Sequence, residues 1–147
     1  MSAFDPAIFE ETVIEAANQE SYVPVPEADY QAYIDSYGFK TPKDSVILDI
    51  NWIVPDDNLA EQLGMEEVGV RQSIFLDVTD GGALDFGTNK NVRLGRLRAA
   101  LGLNDAGKPF QFAMLNSQRA TIAVTQRPDK NDASIIYNDV AKVSAPA

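Results

Sequence analysis

The chain has 147 residues, with 22 acidic and 12 basic side chains, no cysteine and no histidine, giving a formal net charge of −10. The missing residue types exclude disulfides, thiol nucleophiles, serine–histidine triads and zinc centres of the usual kind. At 45% hydrophobic and 9% aromatic the composition is that of one globular domain. Its apolar runs are too short to span a bilayer, and residues 1–6 lack the basic and apolar regions of a signal peptide. The expectation is a soluble cytoplasmic protein that binds rather than catalyses.

Asp5-Pro6 reads as a helix start, with Asp as N-cap and Pro in the first helical position. The segment to about Asn18 sets Ile8, Phe9, Val13 and Ala17 on one stripe, predicting an acidic amphipathic helix over 1–20 that docks on a core. Val23-Pro24-Val25-Pro26 cannot continue it and reads as extended, with the option of lengthening the first strand. Residues 29–35 alternate: Tyr30, Ala32 and Ile34 on one face, Gln31, Tyr33 and Asp35 on the other. Residues 46–54 form a second strand with Leu48, Ile50 and Trp52 towards the core and Asp49 and Asn51 opposite. Asp56-Asp57-Asn58 reads as a helix cap before a short turn over 59–63 that Gly64 stops.

The third strand is predicted over 70–79, with Ile74, Leu76 and Val78 inward and Arg71, Ser73, Phe75 and Asp77 outward, followed by a turn at Asp80-Gly81-Gly82. A helix over 91–101, closed by Gly102, buries Leu94, Leu97 and Leu101 and projects Arg93 and Arg96 together, with Arg98 on the flank. Residues 119–127 alternate again, with Ala120, Ile122 and Val124 inward and Arg119, Thr125 and Arg127 outward. A last strand over 134–143, carrying Tyr137 and Lys142, precedes a short tail at 144–147. A helix between the third and fourth of five strands is the layout of an OB-fold barrel, here over residues 21–143, mainly β with some α.

The charge is unevenly spread. Residues 1–67 hold two basic and fifteen acidic side chains, net −13; residues 68–147 hold ten and seven, net +3. A basic half leaves room for a nucleic-acid site on an acidic protein, the alternative being that its arginines pair with the acidic half.

Neither phosphate-binding glycine pattern is present, so the glycines read as turn and cap residues. Asp49 and Asp77, both outward on strands, are the one candidate pair for metal-dependent nuclease chemistry, although their spacing is unspecific and solvated strand acids are commoner. No cofactor motif is present. What remains is a set of aromatic and basic side chains: Tyr33 and Phe75 as rings on which bases could stack, with Arg71, Arg93, Arg96, Arg119 and Arg127 as phosphate ligands. Tyr33 and Phe75 have a second reading, as the apolar surface beneath the N-terminal helix. Trp52 shares a face with Leu48 and Ile50 and is assigned to the core.

Asp29-Tyr30-Gln31-Ala32-Tyr33-Ile34, Phe75-Leu76-Asp77, the run from Asn91-Val92-Arg93-Leu94-Gly95-Arg96 to Gly102, Gly107-Lys108-Pro109-Phe110 and Tyr137-Asn138-Asp139-Val140 occur in that order. Over about residues 20–143 the chain thereby resembles small bacteriophage proteins similar to single-stranded-DNA-binding proteins. The resemblance implies an OB-like fold and sequence-tolerant binding of single-stranded DNA in replication or recombination, without catalysis. It also implies phage replication or recombination proteins as partners, a possible homo-oligomer, and residence in the host cytoplasm. Many such proteins end in an acidic tail; this chain ends Ser144-Ala145-Pro146-Ala147, and its acidic N-terminal half is the candidate replacement. The alternative is a virion or assembly module that uses the same barrel for protein contacts.

Overall fold

A computed structural model of the chain describes residues 6–11 and 23–147. Helix α1, Pro6–Glu11, is the described part of the expected N-terminal helix; Asp5, Val13 and Ala17 lie outside the described residues. Strands β1 (Ala28–Lys40), β2 (Val46–Val54), β3 (Val68–Leu76), β4 (Arg119–Pro128) and β5 (Ile136–Ser144) form one open antiparallel sheet. Its hydrogen-bonded order is β3-β2-β1-β4-β5. Helix α2 (Asp57–Leu63) links β2 to β3, and helix α3 (Val92–Ala100) lies in the chain between β3 and β4.

β1 runs five residues beyond the expected strand. A bulge between Ile34 and Ser36 is the reason. Before it, Ala32 and Ile34 face the core; after it, Ser36 opposes Asn51 on the outer face, and Tyr37 and Phe39 oppose the buried Ile50 and Leu48. One extra residue inverts the alternation, so a strict period of two breaks at Asp35 although the strand does not. Val23–Pro26 does not lengthen this strand. It is pinned by side chains instead: the buried Val25 donates its N–H to Asn138 Oδ1 at 2.8 Å, and its carbonyl accepts from Asn138 Nδ2 and Gln126 Nε2, both at 2.9 Å.

β1 also changes partners along its length. Residues 28–33 pair with β4, and residues 33–40 pair with β2. The two half-sheets therefore diverge from Tyr33, and Cα atoms of their far edges, β3 and β5, come within 8 Å with no ladder between them. Between the layers lies a core of Ile34, Leu48, Ile50, Trp52, Ile74, Ile122, Val124 and Val140, closed by Leu94 and Leu97 of α3, which packs on β3 and β5.

Local signals act as expected at α2. Asp56 Oδ1 accepts the Leu59 N–H at 3.0 Å, and Gly64 takes a left-handed C-cap at φ +67°. β3 ends three residues before its expected end. Val78 leaves the sheet, pairs with Leu84 in a small loop bridge, and is partly exposed rather than in the core.

The indole of Trp52 is fully buried, and its Nε1–H donates to Oε1 of the buried Gln72 on β3 at 2.8 Å. Replacing Gln72 with Met keeps the length but orphans the indole donor, at a cost of about 1–3 kcal/mol. The urea midpoint of this variant should fall with its m-value unchanged; an unaltered midpoint would show that the indole finds another acceptor.

Candidate functional site

The divergence of the two half-sheets leaves a groove of about 1080 Å³ between their edges, walled by β2 and β3 on one side and β4 and β5 on the other. Arg71, Arg93 and Arg127 line it, with the Tyr137 ring and the carboxylates of Asp35 and Asp139. A second cleft of about 630 Å³ continues it along α3, sharing Gln72, Arg93, Val140 and Ala141, and adds Arg96 and Lys142. Five cations and two carboxylates thus line a continuous surface on a chain whose total charge is −10.

The cations are held in different ways. Arg71 stands on the outer face of β3 beside Asn51, one place from Gly69 and Ser73 on that face. Arg93 is on the first turn of α3, and Arg96 on the next, one three-residue step along the same face. None of Arg71, Arg93, Arg96 and Lys142 forms an ion pair with a described carboxylate. Arg127 does: its Nε donates to Asp139 Oδ2 at 2.9 Å. Its guanidinium also lies 5.1 Å from the centre of the Tyr137 ring. The hydrogen bond Arg127 donates to Asp139, and the charge of that carboxylate, hold the guanidinium pKa above its ordinary value. Tyr137 is fixed in turn, its hydroxyl donating to Asp129 Oδ2 at 2.8 Å. That bond to a carboxylate raises the phenol pKa, so the ring stays neutral across the physiological range.

The structure brings together Arg71, Arg93, Arg96 and Arg127 from the expected set and leaves three residues elsewhere. Tyr33 is half-buried where the two ladders meet, flanked by Ile53 and Arg119 in the cross-strand register. Arg119 lines a separate shallow depression with Gly102 and Pro146. Phe75 is 61% exposed on the outer face of β3, beside Ile47 and two pleats beyond Arg71, outside the groove. Tyr137, which lines the groove, and Lys142, which lines the cleft continuing it, were absent from the expected set. Their signal was the hairpin: a turn over 129–135 sets Tyr137 opposite Arg127. Arg98, expected on the flank of α3, is taken up structurally; it donates to the Leu103 carbonyl and stacks at 4.5 Å on Phe110.

Asp49 and Asp77 do not form a pair. Asp49 opposes Ser73 on β3, four residues before Asp77, which lies past the end of that strand. Asp77 accepts the Asn91 N–H at 2.7 Å. Asp49, expected as a solvated strand acid, is only 7% exposed, because β1 and β3 flank it on both sides. It takes an ion pair from Lys40 at 2.8 Å and a hydrogen bond from Ser73 Oγ at 2.7 Å. Burial pushes this carboxyl up, but Lys40 and Ser73, with a smaller contribution from Arg71, outweigh it and bring it below its ordinary value of 3.8. Among the described residues, no group of three or more acidic side chains is placed to hold a metal ion, and no helix is long and apolar enough to cross a membrane.

Comparison with models of known protein families gives no match, and neither does comparison with curated protein sequences.

Since Asp49 titrates lower in the folded protein than in the unfolded chain, its stabilisation is fully present above the unfolded value and is lost as pH falls through the folded one. The variant Asp49→Asn should therefore be less stable than the parent near neutrality, with the gap narrowing below about pH 4. Urea unfolding across that range checks this; a gap independent of pH would assign the loss to packing alone.

Proposed function

We propose that the chain binds single-stranded DNA without strong sequence preference, on an OB-like barrel left open between β3 and β5. The observation that carries this reading is the groove and the cleft that continues it, where Arg71, Arg93, Arg96 and Lys142 form no ion pair with a described carboxylate and the fixed Tyr137 ring stands in the groove wall. Proteins of the OB class bind oligonucleotides on the face of their second and third strands and on the loops joining strands 1–2 and 4–5. Here β2 and β3 form one wall, and Arg127 and Tyr137 stand where the β4–β5 loop begins and ends.

Unpaired guanidinium and ammonium groups in a groove suit phosphates, which carry no sequence information directly. A neutral ring suits any base, because every base presents a π face. The combination favours a flexible single strand, whose bases can turn towards the ring while its phosphates follow the cations. With four or five phosphates neutralised, the logarithm of affinity should fall against the logarithm of salt with a slope of about −3.

Anisotropy titration of a fluorescein-labelled oligo-dT at low and physiological ionic strength tests the reading. Saturable binding with that slope is expected, and the double variant Arg93→Ala, Arg96→Ala should flatten the slope by about 1.4. Lack of saturable binding at low salt, with a discrete oligomer on sizing, would turn the reading to an assembly module that uses this surface for protein contacts.

A further inference from the structure

The segment between β3 and α3 presents an aromatic ring that neither the core nor the groove accounts for. Phe86 is 87% exposed, the most exposed large apolar side chain among the described residues. Its mounting is tied by hydrogen bonds. At the neck of the loop Asn91 Oδ1 accepts the Asp77 N–H at 2.8 Å, and Asp77 Oδ2 accepts the Asn91 N–H at 2.7 Å. The Asn91 amide also donates to the carbonyls of Asp77 and Asp85, both at 2.9 Å. Inside the neck, Thr79 N–H donates to the Ala83 carbonyl, Val78 bridges to Leu84, and Leu84 packs against the core. Just past the ring, Asp85 Oδ1 accepts the Gly87 N–H at 2.8 Å. A Cβ at position 87 would meet that same oxygen at 3.0 Å, so glycine suits the turn behind Phe86.

A large apolar ring left in water loses the burial that would offset its exposure. A loop that spends this many hydrogen bonds holding its backbone has already met the ordering cost that a binding contact must otherwise meet. Position connects the ring to the groove. The Asp85 carbonyl touches the Asn91 side chain, so Phe86 begins one peptide bond from that anchor; Arg93, two residues after Asn91, lines both clefts.

We infer that Phe86 is a base-stacking contact at the α3 end of the groove, taking the face of an unpaired nucleobase whose phosphates are held by Arg93 and Arg96. This rests on the single-strand reading and adds to it a specific residue outside the groove wall. Arg93, two residues beyond the Asn91 anchor, favours a nucleobase over a protein surface, since it draws a polyanion towards the ring, while the loop's own Asp77 and Asp85 carboxylates are taken up by the Asn91 and Gly87 N–H groups.

The test uses the full chain and two labelled strands of equal length, oligo-dT and its abasic counterpart. Phe86→Ala should raise the Kd for oligo-dT between about five- and a hundredfold, the loss of one stacked base. Affinity for the abasic strand and the urea midpoint should stay unchanged. In Phe86→Trp, the new indole emission should be quenched by oligo-dT and left unaltered by the abasic strand. Parental affinity of Phe86→Ala for oligo-dT overturns the inference, as does an equal loss on both strands. Loss of a discrete oligomer with DNA binding intact would reassign the ring to a protein contact. If the parent chain binds neither strand, the single-strand reading itself fails; if the parent binds and Phe86→Ala is indistinguishable from it, only this inference does.

Discussion

One strand belongs to two ladders and shares them at a single residue. β1 pairs with β4 up to Tyr33 and with β2 from Tyr33 onward, so the sheet is in effect two three-stranded halves hinged on one position. Strands in adjacent ladders twist in a fixed sense, and a strand that changes partners midway turns that twist into divergence. The bulge at Ile34/Ser36 adds to it, because an extra residue bends the strand and increases its local twist. The neighbouring backbone fixes the crossing point: Ile34 donates to the Gln118 carbonyl and accepts from the Ser117 N–H, each at 2.9 Å. The far edges are thereby brought to face each other without meeting. Trp52, buried on the central strand of one half and bonded to Gln72 on its edge, holds that wall in place.

This constraint explains why Tyr33 is a poor candidate for an exposed platform. The residue at which two ladders cross has neighbours on both sides in the register, Ile53 and Arg119, and is half-buried by them. It also explains why Asp49 is buried on a face that alternation assigns to solvent. β2 is flanked by β1 and β3, and Lys40 of β1 and Ser73 of β3 reach the Asp49 carboxylate on its outer face. A carboxylate placed there needs compensation, and Lys40 supplies a charge where Ser73 supplies a hydrogen bond.

Alternation was enough to find core residues of the first four strands and the buried Leu94 and Leu97 of α3. The side chains at Ala32, Ile34, Leu48, Ile50, Trp52, Ile74, Ala120, Ile122 and Val124 point as their spacing says. What alternation could not find were departures from it. The bulge hid the second half of β1, and the local bridge at Val78 looked like more strand. The candidate site was legible only residue by residue. Arg71, Arg93 and Arg127 stand on three elements separated by tens of residues, and their meeting depends on β5 returning beside β4 so that its free edge faces β3. Nothing local in the sequence encodes that, and outward-facing Phe75 and Arg119 satisfied the same pattern while lying elsewhere. Tyr137 was obscured for a related reason: a register shift at Ala123/Val124 disturbs the pairing of β4 with β5, and β5 shows no clean alternation.

The excess of acid over base in the whole chain and the excess of base in the groove act over different distances. Beyond about 8 Å at physiological ionic strength a charge is largely screened, so affinity for a polyanion is set by the groups that touch it. Net charge acts on the approach, through the long-range field that steers or slows encounter. A groove and cleft whose Arg71, Arg93, Arg96 and Lys142 form no ion pair with a described carboxylate, on a body of net −10, therefore separate two effects that coincide in a uniformly basic protein. For a polyanion bound as proposed, lowering the salt would strengthen the contacts within the groove and, at the same time, extend the repulsion from the acidic remainder. In that binding, contact strength would appear in the dissociation rate and repulsion in the association rate, so the two would be separable kinetically where an equilibrium measurement alone reports their sum.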